Sequence, residues 1–138
     1  MQPAISLIVA IVAIALFFLV AIVLKGNHGH HFNVEEYQTR WLKIQNSLIK
    51  GNSNSYTIAV LEADKLFDRA MREMGIPGKT MGERLKRMDG RLSQIDYVWH
   101  AHKIRNQIAH DTGYAPDYNN ASRALSAYKQ ALKDLGAI

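Results

Sequence analysis

Arg105, Asn106 and His110 are the residues whose types and spacing best suit chemistry, in the stretch Arg105-Asn106-Gln107-Ile108-Ala109-His110-Asp111. An imidazole titrates near neutrality and can give or take a proton. A guanidinium presents a planar fork that matches phosphate oxygens. On an ideal helix, residues five apart lie about 140° apart, so Arg105 and His110 do not share a face. A fraying helix end, or a second copy of the chain, would have to bring them together. His102, three residues before Arg105, does share its face and is a further candidate participant. The same Arg and His also suit a purely structural role, since cations near a helix C-terminus favour its dipole and bond its last carbonyls. The usual enzyme signatures are missing: there is no phosphate-binding glycine loop, no HExxH, no GxSxG and no metal-spaced carboxylate pair. No metal and no cofactor is expected.

A basic cluster precedes this stretch. Lys79, Arg84, Lys86, Arg87 and Arg91 face only Glu83 and Asp89 in sequence. With Lys103 and Arg105 they can form a phosphate-facing strip, and Arg84, Lys86, Arg87, Arg91 and Lys103 are the candidate nucleic-acid contacts. A solvated helix face, or contact with anionic lipid, would use the same charges. Tyr97, Trp99 and Tyr114 can stack bases, although aromatics at helical spacing more often belong to a core. His28, His30 and His31 sit in the polar stretch Lys-Gly-Asn-His-Gly-His-His. Without a carboxylate or a fourth ligand they read as a solvated spacer rather than a metal site.

Four long helices must position these residues. Asn33 with Glu36 has the capping-box pattern, and Phe32 with Tyr37 the spacing of a hydrophobic staple. Val34, Tyr37, Trp41, Ile44 and Leu48 then recur in steps of 3 and 4, and Lys50-Gly51 ends that helix. A second helix runs from about Ser55 to Met74, with Ala59, Ala63, Leu66 and Ala70 on one face and Val60, Phe67 and Met71 beside them. Gly75, Pro77 and Gly78 break the chain. Thr80 with Glu83 opens a short helix carrying Leu85 and Met88. A third long helix spans about Ser93 to Ala109. The last begins near Asn119 or Asn120 and runs to Leu135, where Gly136 stops it. No strand pattern and no internal repeat is present. The expected fold is all-α, with an up-and-down four-helix bundle and one short extra helix.

In this setting the Arg-x4-His string, with a polar residue directly after the arginine, resembles the motif of HEPN domains. The motif falls near the end of the third long helix of four. The resemblance covers roughly Phe32 to Leu135. It implies a dimer in which two motifs meet in a cleft, and in many such domains a metal-independent endoribonuclease. His110 would be the general acid or base, Arg105 would hold the scissile phosphate, and Asn106 would orient them. A 2′-hydroxyl nucleophile would restrict the reaction to RNA. The resemblance equally admits a non-catalytic module that recruits a protein partner, a nucleotide or RNA, because fold does not settle function.

The N-terminal part is of another kind. Ala4 to Leu24 contains no charged residue, and Ser6 is its one polar residue. Those 21 residues would form a helix about 31 Å long, near the ~30 Å of a bilayer's hydrocarbon core. Met1 to Pro3 lacks the basic residues of a signal peptide, and the apolar run exceeds the usual signal core. A single transmembrane anchor over 1–25, a linker over 26–32 and the bundle over 33–138 are therefore expected. Lys25, Arg40 and Lys43 follow the apolar run and nothing basic precedes it. The positive-inside tendency then places the N-terminus outside the cell membrane and the C-terminal domain in the cytoplasm. The net charge of +5 belongs wholly to residues from Lys25 onward, and the absence of cysteine removes disulfides and thiolate metal sites. The expected partners are the lipid bilayer, a second copy and RNA, or an unidentified protein. A third reading is a bundle that only oligomerises, with Ser6, Ala10 and Ala13 packing between anchors.

Overall fold

The computed structural model describes residues 2–26 and 30–138, with side chains for 5–21 and 30–138. All regular structure among these residues is helical, as expected. The chain divides into two compact units, residues 1–31 and Phe32–Ile138.

In the first unit, α1 (Gln2–Gly26) is a single helix. The side chains of 5–21 are all exposed, including Phe17, Phe18 and Leu19. Among the described residues no helix is long and apolar enough to cross a membrane. The expected membrane-spanning anchor over 1–25 is thus not shown by the described residues. His28 of the polar linker lies outside the described residues.

The second unit is a helical bundle. Its long helices are α2 (Val34–Ser47), α3 (Ser53–Glu73), α5 (Ile95–His110) and α6 (Tyr118–Asp134), with α4 (Met81–Lys86) as the short one. α3 packs against α2, α5 and α6, and α6 also packs along α5. Small side chains make this close approach feasible. Ala59, Ala63 and Ala70 of α3 and Ala121, Ala124, Ala127 and Ala131 of α6 are all buried. Tyr37, Phe67, Met71, Leu85, Met88, Val98, Tyr128 and Leu132 fill the centre.

The caps explain where the helices start. Asn33 Oδ1 accepts from the Glu36 amide at 3.1 Å, and the Phe32 and Tyr37 rings meet edge to face at 5.3 Å. Glu36 does not complete the box. Its carboxylate instead takes Arg40 at 2.9 Å and Arg69 at 2.8 Å, because two guanidiniums outbid one amide. α2 stops at Ser47, earlier than the Lys50-Gly51 signal. Ser47 Oγ donates back to the Ile44 carbonyl, and Ser55 Oγ binds both the amide and the carbonyl of Ile49. α3 starts at Ser53, capped by Asn52. α5 starts at Ile95 because Ser93 is held outside it. Both the amide and the hydroxyl of Ser93 donate to Asp134 Oδ2 at 2.8 Å. Asp117 caps α6, accepting from the Asn120 amide at 2.7 Å, so that helix begins at Tyr118.

Candidate functional site

A groove of about 870 Å³ runs between α3, α4 and α5. Glu62, Asp64, Lys65 and Asp68 line it from α3. Lys79, Gly82, Glu83 and Lys86 line it from the α4 segment, and Trp99, His102, Arg105, Asn106 and His110 from α5. Arg84 sets the wall formed by α4. Its guanidinium grips Asp68 with two bonds, of 2.8 and 3.0 Å, and also donates to the Gly78 carbonyl. Gly78 must be glycine for this, since a Cβ there would fall 2.9 Å from Arg84 Cγ and 2.9 Å from its amide. Thr80 then caps α4, accepting from the Glu83 amide at 3.2 Å, and Glu83 accepts from the Lys79 amide at 2.7 Å.

Asp64 is the hub of the site. It sits in the apolar stripe of α3, only 5% exposed. Its Oδ1 lies 2.8 Å from His102 Nδ1 and accepts from the Tyr128 hydroxyl at 2.6 Å. Its Oδ2 pairs with Arg105 Nε at 3.5 Å. One carboxylate thus ties α5 and α6 to α3. Burial, then the adjacent Asp64 charge and hydrogen bond, push the Tyr128 phenol well above its ordinary range, so it remains a donor. Arg105 also donates to Asn106 Oδ1 at 3.1 Å. Its side chain is 37% exposed, held at the base and open at the tip. Trp99 stands edge-on to the His102 ring with centroids 6.2 Å apart.

The predicted residues fall into three groups. Arg105, Asn106 and His110 line the same groove without helix fraying or a second copy, although no hydrogen bond joins Arg105 to His110 among the described residues. His110 is the exposed last residue of α5. His102 shares Arg105's face, as its spacing requires, but it is buried and bound to Asp64 rather than free. Of the expected nucleic-acid contacts, Lys86 is exposed and lines the groove. Arg87, Arg91 and Lys103 are exposed outside the lining. Arg84 requires a correction: it is 7% exposed and internally paired, so it acts as a structural clamp.

The aromatics separate as well. Trp99 lines the groove, Tyr97 lies 66% exposed in another cavity with His100 and Arg123, and Tyr114 packs against the core. Asp64, Lys65, Asp68, Gly82 and Tyr128 were not legible as site residues. One signal was available for Asp64: an acid at i+4 from Val60 and i−3 from Phe67 interrupts an apolar stripe. Among the described residues no group of three or more His, Cys, Asp or Glu is placed to hold a metal ion.

The fold and groove define an all-α bundle with a polar cleft of mixed charge built on a buried carboxylate. Comparison with family models, with curated proteins and with solved structures gives no match for this chain.

Proposed function

We propose that this protein is a membrane-anchored, HEPN-like ribonuclease that cleaves RNA without a metal ion. One observation carries the reading: Arg105, Asn106, His102 and His110 converge on one groove whose rim also holds Lys65, Lys79 and Lys86. Arg105, fixed at its base by Asp64 and Asn106, offers its outer guanidinium edge to a phosphate. His110, exposed at the groove, exchanges the proton of the leaving or attacking oxygen. A homodimer, as the resemblance implies, would set two such grooves side by side.

The anchor reading rests on α1. Ile, Leu, Val and Phe are exposed around the whole helix over 5–21, and a helix apolar on every face belongs inside protein or lipid. The apolar sequence from Ala4 to Leu24 is long enough for a bilayer. The basic residues after it favour a cytoplasmic C-terminal domain. Flotation with liposomes after alkaline extraction tests the anchor.

The nuclease reading is tested by incubating the full chain, in detergent micelles with EDTA, with labelled single-stranded RNA beside Arg105→Ala and His110→Ala. Cleavage by the parent and by neither variant is expected. RNA left intact by a folded parent would move the groove to a binding role, that of a module recruiting RNA or a partner.

A further inference from the structure

The groove contains a second histidine whose surroundings fix its chemistry. His102 Nδ1 faces Asp64 Oδ1 at 2.8 Å. Asp64 already accepts from the Tyr128 hydroxyl on that oxygen and stands beside the permanently charged Arg105 on the other. Such a carboxylate is an acceptor, so the imidazole must place its hydrogen on Nδ1. In the neutral ring the lone pair is then on Nε2. That atom points toward Gly82 at the start of α4: a Cβ on Gly82 would lie 3.7 Å from Nε2 and 3.9 Å from Trp99 Cζ3. The missing side chain of Gly82 leaves a space at the one ring nitrogen able to accept a proton. The His102 side chain keeps 10% of its surface exposed and lines the groove.

We infer that His102 Nε2, oriented by Asp64 and Tyr128 and uncovered by Gly82, is a general base of this groove, and that each chain carries both a proton acceptor and a proton donor. The inference rests on the RNA-cleaving reading. In the reaction, Nε2 takes the proton of a ribose 2′-hydroxyl. The 2′-oxygen bonds to phosphorus, and the bond from phosphorus to the 5′-oxygen breaks. His110 gives that oxygen a proton, leaving a 2′,3′-cyclic phosphate and a free 5′-hydroxyl. Arg105 stabilises the phosphate oxygens, and no oxidant or metal enters the balance. Asp64 and Tyr128 are positioning residues, since they act through His102 and Arg105.

The test uses the full chain in micelles. Gly82→Ala is the informative variant. Its methyl meets its neighbours at ordinary contact distance, so the fold tolerates it, and alanine suits a helix better than glycine. It would nevertheless cover Nε2. Gly82→Ala is expected to melt at or above the parent's temperature while losing at least tenfold in RNA cleavage, with His102→Gln losing as much. Nitrogen-15 spectra of labelled histidine are expected to show His102 as the Nδ1–H tautomer. A parent that cleaves while Gly82→Ala and His102→Gln both stay within twofold of it overturns the base assignment and leaves the nuclease reading standing. A folded parent that cleaves nothing overturns the nuclease reading and the base role with it. An Nε2–H tautomer refutes the inference whatever the cleavage result.

Discussion

Arg84→Ala separates a clamp from a nucleic-acid contact. In sequence Arg84 belongs to a run of cations, but in the bundle it is the fork that ties α4 and Gly78 to Asp68 of α3. Its side chain is 8% exposed and that of Asp68 16%. Removing one partner of such a pair leaves a largely desolvated charge and costs roughly 3–5 kcal/mol. The lower end applies here, because Arg72 stays 3.4 Å from Asp68 and offsets part of the orphaned charge. At about 4–8 °C per kcal/mol for a domain near this size, a loss of ~3 kcal/mol lowers the melting temperature by roughly 12–24 °C. Thermal melts followed by circular dichroism at 222 nm give the value directly. Lys86→Ala is the control: exposed on the same helix, it should move stability by under about 0.5 kcal/mol while weakening RNA binding in a salt-dependent way. If Arg84→Ala melts like the parent yet binds RNA less well, the clamp argument is wrong and Arg84 belongs to the interface.

Three further outcomes follow from the same contacts. Tyr128→Phe removes a donor from a buried carboxylate that keeps two other partners, and should cost about 2 kcal/mol in urea denaturation, with cleavage falling more than stability accounts for. Thr80→Ala removes the cap of α4 and should cost about 1 kcal/mol, read as a lower urea midpoint with an unchanged slope. Glu36 sets an acid dependence. The Arg69 hydrogen bond, opposed by desolvation and helped by the Arg69 and Arg40 charges, holds its carboxyl below the ordinary 4.5. A depressed folded pKa means that its stabilisation is complete above about 4.5 and fades as pH falls through the lowered value. The melting temperatures of Glu36→Gln and the parent should therefore differ at neutral pH and converge in acid.

What could be read from the sequence was whatever is local. Caps at Asn33 and Thr80, the Phe32–Tyr37 staple and the apolar stripes depend on neighbours within one or two turns, and the structure keeps them. Helix ends were less legible where a distant polar group intervened. Ser93 leaves α5 because Asp134, forty-one positions away, accepts from it twice. Arg84 drops out of the cationic strip for the same reason. Charge alone cannot distinguish Arg84, whose partner Asp68 is sixteen positions earlier, from Lys86, which keeps its charge for solvent or ligand.

Asp64 extends that logic to function. Its partners His102 and Tyr128 lie 38 and 64 positions downstream on two other helices, so no spacing rule links them. A buried acid in an alanine-rich seam is costly unless it is fully bonded. A purely structural seam would be served as well by a leucine and a phenylalanine. Here the carboxylate holds one face of two side chains that both open onto the same groove, the imidazole of His102 and the guanidinium of Arg105. Asp64→Asn sharpens the point, because it keeps the shape and removes the charge. If Asp64 served the fold alone, the loss of activity should follow the loss of melting temperature. If it serves the site, His102 loses the partner that fixes its tautomer, and cleavage should fall at temperatures where the variant is still fully folded.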